Sequence, residues 1–362
     1  MLGFEKTYTL PFEHDIPNHV EAFLSNNSLL GRRLKYFKRK IFLQFKGQAH
    51  LETSHILPEH MNILWINMSA PSLGDSLMDL SSRVLLHDRM VDLFTDKKNA
   101  VLYIDDKNFR NVYTSKREVN TSKYDLVIID SYSTRSVSIK AAIAPEIQFI
   151  GMYAYFNGPE VNRVLFSFHR LNQLLGYTLD KVEINTIART SIAIPSHDKA
   201  IVRSEKLPSS FITIAIGGEW EFRTYKKWDE LVRLLIEKDN NINIVLVGSS
   251  NAIRVSEKLL ANFYNGNVFD YVAKYSFKQT SQIISQSKIF ISCDGGLMHA
   301  ANAVKTPILP LLSRLDEKMQ LTESIQAFPL FDKSNVNNIN ENSIIKKYIE
   351  ASNYVGNHLR VE

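Results

Sequence analysis

Short runs of apolar residues alternate with helical patterns along most of the chain. The runs have the length of strands and end at turn-forming residues, while Leu77, Leu80 and Val84 show the three-to-four residue repeat of the helical stretches. Parallel strands covered by helices on both faces produce this alternation, so we predict an α/β fold with doubly wound parallel sheets. The predicted strands are residues 62–68 (NILWINM), 100–104 (AVLYI), 124–130 (YDLVIID), 211–216 (FITIAI), 242–247 (INIVLV) and 288–293 (KIFISC), with a further run after Pro307.

A stretch rich in proline, serine and charge interrupts this alternation at residues 195–210 (PSHDKAIVRSEKLPSS) and predicts an interdomain linker. The 362 residues are enough for two domains that each bury a core. We predict a basic N-terminal extension (1–60), a first Rossmann-like domain (61–195), a second one (211–330) and a helical tail (331–362). One option is that this tail crosses back to the first domain.

The second domain contains a strand, a glycine turn, a helix and another strand within residues 288–312. Asp294, Gly295 and Gly296 follow the first of these strands, and His299 lies one turn into the helix. This places a carboxylate, backbone N–H groups and an imidazole at the carboxyl end of a strand, where open α/β sheets bind ligands.

Two further glycine turns follow strands of the same domain. They are Gly217-Gly218 and Gly248-Ser249, and Lys226 follows the first of them as a countercharge. Backbone amides at such turns can approach a diphosphate closely, so the three turns together favour a nucleotide ligand. The chain has neither a Walker sequence nor a GxGxxG motif, so a P-loop and a dinucleotide fingerprint are not supported.

The first domain carries Gly74-Asp75 in the loop after its first strand. Asp75 lies at the predicted start of a helix. An acid in this place is explained by a role as a helix cap, in which the carboxylate accepts hydrogen bonds from free N–H groups, or by a functional role.

Charge is unevenly distributed, although the net charge is only +5. The segment from Arg32 to Lys46 interleaves seven basic residues with aliphatic and aromatic ones. Such a helix suits the surface of an anionic membrane, or it packs as a solvated basic face on the main domain. Nucleic acid is disfavoured because no comparable basic stripe occurs elsewhere.

The composition is that of a cytosolic protein. No apolar run approaches 18 residues, and the N-terminus lacks the apolar core of a signal peptide. Cys293 is the single cysteine, which excludes intrachain disulfides and thiolate metal clusters. His50, His55 and His60 match no recognised metal-ligand spacing, so no metal site is expected.

Three of these motifs together resemble glycosyltransferase family 9, the ADP-heptose:lipopolysaccharide heptosyltransferases. They are Gly74-Asp75, Lys226-x-Trp228 and Asp294-x-Gly296-x-x-His299-x-Ala301-x-Ala303, and the resemblance extends from Asn62 to Leu312. It implies a GT-B architecture, in which two Rossmann-like domains face a cleft with the acceptor on the N-terminal side and the nucleotide sugar on the C-terminal side. It also implies inverting, metal-independent transfer without a cofactor, from ADP-heptose or another nucleotide sugar.

The resemblance assigns a role to each matching residue. Asp75 corresponds to the general base beside Gly74 on the acceptor side, and Lys226 to the lysine at the diphosphate. Asp294 corresponds to the residue that holds sugar hydroxyls, and His299 to a histidine near the sugar and the phosphate. The resemblance thus makes Asp75, Lys226 and His299 the catalytic candidates. The nucleotide-sugar candidates are Gly217, Gly218, Lys226, Tyr275, Asp294, Gly295, Gly296 and His299, with the main chain at Tyr275 beside the adenine.

Two departures from the family pattern leave the function open at a finer level. Gly295 stands where many members have Thr or Ser, and Ser313-Arg314-Leu315-Asp316 replaces a Gly-x-Thr-x-Pro loop, so Arg314 could supply a charge instead. We expect transfer of heptose to a lipopolysaccharide inner-core acceptor at the cytoplasmic face of the membrane. The alternatives are a protein acceptor such as an adhesin, and a non-catalytic protein that binds nucleotide sugars.

Overall fold

The computed structural model describes residues 28–157, 160–263 and 266–358, so the first 27 residues of the predicted extension lie outside it. The chain divides into two compact units, with the boundary between Arg189 and Thr190. The described helices are α1 (Leu29–Phe45), α2 (Leu73–Asp79), α3 (Lys97–Ala100), α4 (Thr134–Ile143), α5 (Arg163–Leu174), α6 (Lys181–Ile187), α7 (Ser196–Ser204), α8 (Trp228–Lys238), α9 (Ile253–Asn262), α10 (Phe277–Ser285), α11 (Gly296–Ala303), α12 (Glu317–Gln320) and α13 (Glu341–His358). The described strands are β1 (Asn62–Asn67), β2 (Met90–Thr95), β3 (Asn111–Tyr113), β4 (Leu126–Ile129), β5 (Phe149–Gly151), β6 (Ile212–Ala215), β7 (Ile244–Val247), β8 (Val268–Asp270), β9 (Phe290–Cys293), β10 (Ile308–Ser313) and β11 (Leu330–Asp332).

The first unit contains a parallel sheet with the strand order β3-β2-β1-β4-β5. Trp65 of β1 pairs with Leu93 on one side and Ile128 on the other, and it is almost completely buried. Apolar side chains on both faces of these strands explain why β1 and β4 read as unbroken hydrophobic runs. The strand order reverses between β1 and β4, and this reversal is the place where open α/β sheets bind ligands.

The second unit repeats this plan with the order β11-β10-β9-β6-β7-β8. Ile214 of β6 lies between Ile291 of β9 and Leu246 of β7, and all three side chains are fully buried. The described strand pairs in both sheets are parallel, as the sequence predicts. Here the order reverses between β6 and β9.

One predicted strand is wrong. Residues 100–104 form the end of α3 and a turn, and the strand that pairs with β1 is β2 instead. Leu102 and Tyr103 are buried while Val101 and Ile104 are exposed. A short apolar run does not distinguish a strand from a buried turn, and here the side chains on one side of the turn supply the apolar character.

The predicted linker and tail both take regular structure within the second unit. Helix α7 occupies residues 196–204 of the stretch read as a linker, its Val202 is fully buried, and its Asp198 accepts a hydrogen bond from Gln279 at 2.8 Å. In the tail, Ile344 and Ala351 of α13 lie in the core around β6 and β9. No helix among the described residues is both long and apolar enough to span a membrane.

One face of helix α1 packs against the core of the first unit. Tyr36 and Leu43 are buried in the core that contains β4, and the Tyr36 ring lies 4.8 Å from that of Tyr155. Arg39 donates hydrogen bonds from Nη1 to the carbonyl oxygens of Ala154 (3.2 Å) and Phe156 (3.1 Å). The basic segment is therefore fixed to the sheet as a structural part of this unit.

A buried lysine holds the chain that follows α1. Lys140 of α4 donates from Nζ to Oε1 of Gln48 at 2.5 Å, and its ammonium lies 4.9 Å from the centre of the Phe149 ring. Burial lowers the pKa of Lys140 from 10.5 to about 8, and the charge of Glu146 opposes the shift.

We predict that replacement of Lys140 by Met alters the pH dependence of stability. The unfolded chain binds this proton more tightly than the folded chain, so the contribution of Lys140 becomes more favourable as the pH rises from about 8 to 10.5. The free energy of unfolding of the wild type relative to K140M should increase by up to about 3 kcal/mol over that window. Urea titrations of both proteins measure the difference, and K123M, on the surface of the same unit, is the control. A difference that is constant with pH would contradict the prediction.

Candidate functional site

The three glycine turns of the second unit lie at one edge of its sheet. Gly217-Gly218 follows β6, Gly248 follows β7 and Asp294-Gly295 follows β9, and these strands are neighbours in the order β9-β6-β7. Because they are parallel, their carboxyl ends meet at the same edge. The first and third turns flank the reversal of strand order, so the sequence motifs converge where a ligand is expected.

Glycine at two of these turns is required by close packing around the turn. A Cβ atom on Gly218 would lie 2.2 Å from Oγ1 of Thr224, and one on Gly248 would lie 2.5 Å from the carbonyl oxygen of Ile216. Gly217 has a φ of +98°, a conformation that side chains disfavour. Packing and backbone conformation therefore require glycine at these positions, independently of any ligand.

Gly295 differs from Gly217, Gly218 and Gly248 because the space above it is open. It has extended backbone angles, and an added Cβ would meet no atom within 4 Å. It is also the N-cap of α11, a helix without a side-chain capping hydrogen bond. The N–H groups of the first turn, including that of Gly296, thus begin beside open space, and such groups favour anions.

Asp294 is paired with an arginine that the sequence motifs did not reveal. Nη1 of Arg223 lies 2.8 Å from Oδ2 of Asp294, whose side chain is 7% exposed. The neighbouring Phe222 ring supports the guanidinium of Arg314, which lies 3.7 Å from the ring centre. Arg314 has a φ of +65° directly after β10, the position of the altered family loop. The edge that carries Asp294 therefore holds two guanidinium groups around one aromatic ring.

Lys226 and Trp228 have different surroundings despite their shared motif. Trp228 is 1% exposed and packs on Tyr225, with ring centres 5.0 Å apart, so it anchors the start of α8. Lys226 is exposed, and its Nζ lies 2.8 Å from Oε1 of Glu221. Its backbone N–H donates to Oδ1 of Asn337 at 2.8 Å. The tryptophan fixes the backbone at Lys226, while the side chain pairs at the surface.

His299 is buried in α11, with 3% of its surface exposed. Its carbonyl oxygen accepts a hydrogen bond from Oγ1 of Thr190 at 2.8 Å. The three side chains that were expected to act at the donor therefore differ in exposure. Lys226 is open to solvent, whereas Asp294 and His299 are not.

Tyr275 lies in the loop after β8, at the far side of the same sheet. Its ring stacks on that of Tyr271, with centres 5.7 Å apart. Burial and a hydrogen bond with Glu205 raise the pKa of Tyr275 above its usual value. Ala273 of this loop donates from its N–H to the carbonyl oxygen of Gly248 at 2.9 Å, which ties the loop to the turn after β7.

In the first unit, Asp75 lies in the first turn of α2, after β1. Ser72 is the N-cap: its hydroxyl oxygen accepts from the Asp75 N–H at 3.1 Å and its O–H donates to Oδ2 of Asp75 at 2.5 Å. Oδ1 of Asp75 accepts from Nη1 of Arg163 at 2.5 Å. The carboxylate is 22% exposed, whereas Gly74 beside it is buried. The cap is therefore Ser72, and Asp75 holds its hydroxyl in place.

Comparison with known proteins identifies the family. The family model described as glycosyltransferase family 9 (heptosyltransferase) matches residues 158–348, just over half of the chain. The chain belongs to glycosyltransferase family 9. The match contains Lys226, Asp294 and His299 but begins after Asp75. No curated protein matches this transferase in a sequence search.

Solved structures show that the fold of this transferase is that of GT-B glycosyltransferases. The glycosyl transferase family 9 protein from Veillonella parvula DSM 2008 has a TM-score of 0.68 at 14% identity, over 82% of this chain and 98% of that one. The ADP-heptose lps heptosyltransferase II of E. coli has a TM-score of 0.62 at 17% identity, over 80% and 98%. E. coli heptosyltransferase WaaC with ADP gives 0.59 at 16% identity, over 82% and 99%. The predicted fold class is confirmed, and family membership sets aside the non-catalytic alternative.

One expectation is corrected by a further comparison. The dodecameric iron-containing heptosyltransferase TibC, in complex with ADP-D-beta-D-heptose, has a TM-score of 0.51 at 10% identity, over 83% of this chain and 79% of TibC. The expectation of transfer without metal is therefore wrong as an inference from the family, because one heptosyltransferase of similar fold contains iron. Within residues 28–157, 160–263 and 266–358, no group of three or more His, Cys, Asp or Glu side chains is arranged to hold a metal ion.

Several residues of the site were not identified from the sequence. Arg223 was missed because its partner Asp294 lies 71 residues away. Arg163 was missed for the same reason, since 88 residues separate it from Asp75. Asp79 carried a local signal, because it follows Asp75 by four residues and so shares its face of α2.

We predict that Gly295 accepts a hydroxyl side chain and that Gly218 does not. G295S should unfold at the temperature of the wild type, because its backbone is extended and its Cβ points to open space. If ADP binds above this turn, the serine hydroxyl adds a hydrogen bond to a charged phosphate, which contributes about 1.5–3 kcal/mol. Calorimetric titration should then show ADP binding tighter by about tenfold or more.

The control is G218S, which places Cβ against Oγ1 of Thr224. We expect it to lose about 1–3 kcal/mol of stability through overpacking. A lower melting temperature for G295S would contradict the open space at this position. Unchanged or weaker ADP binding by a folded G295S protein would contradict a phosphate position above Gly295.

Proposed function

We propose that this family-9 transferase moves a heptose from ADP-heptose to a lipopolysaccharide core acceptor with inversion at the anomeric carbon. The open space at Gly295, beside Asp294 and the N-terminus of α11, is the observation that carries the proposal. It lies at the reversal of strand order in the second sheet, and the family match includes it. The donor class is supported by WaaC, whose solved complexes contain ADP and an ADP-heptose analogue.

The charges around Gly295 suit a nucleotide diphosphate. Backbone N–H groups of α11 would meet the phosphates, and Lys226 would offset the charge that builds up on the departing nucleotide. Asp294, fixed by Arg223 at 2.8 Å, would accept hydrogen bonds from sugar hydroxyls. His299 and the main chain at Tyr275 complete the proposed donor site, near the sugar and at the adenine.

Asp75 is the proposed general base. As the acceptor hydroxyl oxygen forms a bond to the anomeric carbon, its proton passes to the Asp75 carboxylate. The bond between the anomeric carbon and the ADP oxygen breaks, and its electron pair leaves with ADP. A single displacement of this kind inverts the anomeric configuration. The position of Asp75 after β1, at the reversal of strand order in the first sheet, supports the assignment.

The outer face of α1 supports a membrane contact at the acceptor side. Its apolar residues recur at three- to four-residue spacing and are exposed by 38% (Phe37) to 78% (Phe45). The helix contains no acidic residue, and Arg33, Lys38 and Lys40 are exposed beside the stripe. An exposed apolar stripe flanked by basic residues fits an anionic lipid surface. The stripe consists of Leu30, Leu34, Phe37, Ile41 and Phe45.

The two faces of α1 thus fit both interpretations of the basic segment, which are packing on the protein and contact with a membrane. Tyr36 and Leu43 pack on the protein, while the apolar residues of the stripe are exposed. A lipid-linked acceptor at the cytoplasmic face of the membrane would be presented beside the unit that holds Asp75. We therefore place the protein in the cytoplasm with peripheral contact to that membrane, and prefer a lipopolysaccharide acceptor to a protein acceptor.

We predict that D75N binds the donor but does not transfer the sugar. General-base assistance is typically worth ~10²–10⁴ in rate, so turnover with ADP-heptose and a heptose-deficient lipopolysaccharide core should fall by that factor. Affinity for ADP-heptose should not change, because donor contacts are proposed in the second unit. ADP release and calorimetric titration measure the two quantities, and D88N, an exposed acid of the first unit, is the control.

Full turnover by D75N would remove Asp75 as the base. If neither protein releases ADP with the lipopolysaccharide core but the wild type does so with an adhesin, the acceptor is a protein. Release with neither acceptor, together with undetectable donor binding, would overturn the proposed reaction.

We predict that α1 binds anionic vesicles through its stripe and its charges together. In L34S/I41S/F45S, binding to vesicles of phosphatidylglycerol and phosphatidylethanolamine should be largely lost at every salt concentration. In R33Q/K38Q/K40Q, binding should weaken by about a hundredfold at low salt, since each basic residue near the surface contributes about 1 kcal/mol. The difference should shrink as salt screens exposed charges. Co-sedimentation measures both.

The control carries serine at three exposed apolar positions elsewhere in the first unit, Tyr177, Val182 and Ile187. It should bind vesicles like the wild type. Equal binding by the stripe variant and this control would show that α1 does not enter the lipid.

A further inference from the structure

Arg163 divides its hydrogen bonds between two carboxylates on one face of α2. Nη1 donates to Oδ1 of Asp75 at 2.5 Å, while Nε and Nη2 donate to the two oxygens of Asp79 at 2.9 and 2.7 Å. The planar guanidinium therefore engages Asp79 through two parallel bonds and Asp75 through one. A lysine cannot reproduce this geometry, because its ammonium is a point charge.

Asp79 is the anchor of this arrangement. It is 6% exposed, and its Oδ1 also accepts from the Tyr153 hydroxyl at 3.1 Å. Burial raises the pKa of Asp79, and the charge of Arg163 opposes the shift. Burial alone would lower the pKa of Arg163, but the neighbouring acids, Asp79 foremost, raise it well above its usual range. The guanidinium thus stays charged and cannot rotate away from Asp79 without leaving a buried acid unpaired.

Asp75 is held from both sides as a result. Arg163 occupies Oδ1 and the Ser72 hydroxyl occupies Oδ2, so the plane of the carboxylate is fixed. Each carboxylate oxygen has a second acceptor site, which leaves room for one more donor.

A cavity adjoins the paired face of α2. It has a volume of about 260 Å³, and its lining includes Arg163, Asp79, Tyr153, Asn157, Asp130 and Arg39 of α1. Aromatic rings beside amide and charged groups suit a hydroxylated ligand. Arg163 thus connects Asp75 to a space in which a sugar can lie, within a single unit.

We infer that Arg163, anchored by Asp79 and Tyr153, is a positioning residue that fixes the carboxylate of Asp75 in one orientation for proton transfer. This inference rests on the proposed role of Asp75 as the base. It adds a requirement that the family motif does not contain. The base is the last of four hydrogen-bonded side chains, which run from Tyr153 through Asp79 and Arg163 to Asp75. The loss of either the charge or the orientation of Arg163 should impair turnover without affecting the donor site.

The test compares three variants with the wild type. R163K keeps a positive charge and loses the two parallel bonds. D79N keeps Arg163 beside Asp75 and weakens its anchor. The double variant D79N/R163Q removes both buried charges together and leaves two amides that can bond to each other, so it avoids the unpaired buried acid that would threaten folding in R163Q alone.

We expect D79N/R163Q to unfold cooperatively and to bind ADP with wild-type affinity, while kcat with ADP-heptose and the lipopolysaccharide core falls by about a hundredfold, the scale of a misplaced catalytic group. The KM for ADP-heptose should stay at the wild-type value, so that kcat alone falls, because the donor contacts are proposed in the second unit. In D79N and R163K, kcat should fall less, because a charged donor remains beside Asp75.

The control is R170K, which alters an arginine of the same helix that donates to the carbonyl oxygens of Gly151 and Met152. It should keep both kcat and the KM for ADP-heptose. Wild-type kcat in the folded double variant would overturn the inference. Loss of turnover in D75N with normal turnover in D79N/R163Q would overturn this inference alone, whereas normal turnover in D75N would overturn the proposed base itself.

Discussion

Each unit depends on the pairing of its two central parallel strands, β1 with β4 and β6 with β9. Helices that connect parallel strands leave in opposite directions from such a pair, so the loops beyond it separate and leave a crevice. Asp130 stabilises this point in the first unit: its carboxylate at the end of β4 accepts the N–H groups of Met68 and Ser69, both at 2.7 Å, just beyond β1. The position of Asp75 follows from that pairing, because α2 begins a few residues later.

The second unit uses the same geometry with different chemistry. Close contacts account for Gly218, which faces Thr224 of its own loop, and for Gly248, which faces the carbonyl oxygen of Ile216, whereas Gly295 borders open space. Glycines that look equivalent in the sequence therefore have two different physical origins. Gly218 and Gly248 permit close packing at their turns, and Gly295 leaves the N-terminus of α11 accessible. The paired Arg223 and Asp294 beside it place largely buried charges at this edge, whereas Lys226 and Glu221 form an exposed pair.

Helix α1 has one face in the protein core and another that is exposed. Its inner face contributes Tyr36 and Leu43 to the core and Arg39 to the cavity, whereas its outer face keeps an apolar stripe in solvent. A helix with apolar residues on both sides has no simple amphipathic pattern, and for this reason its composition alone supported two interpretations. Its packing on the sheet assigns each face, and the same packing connects the proposed lipid contact with the unit that carries Asp75.

The sequence by itself determined the features that depend on near neighbours along the chain. Strand runs, glycine turns, the helix after Asp294 and the family motifs are local, so the α/β class, the two parallel sheets and the positions of Asp75, Asp294 and His299 relative to strand ends followed from it. The assignment of residues 100–104 failed because apolar character over five residues fits a buried turn as well as a strand. Only the tertiary structure decided which residues meet across long separations. Arg163 and Arg223 find their acids 88 and 71 residues away, and no local pattern encodes a partner at that distance. The crowded space at Gly248 likewise depends on the carbonyl oxygen of Ile216, 32 residues earlier in the chain, so the folded structure is needed to distinguish it from the open space at Gly295.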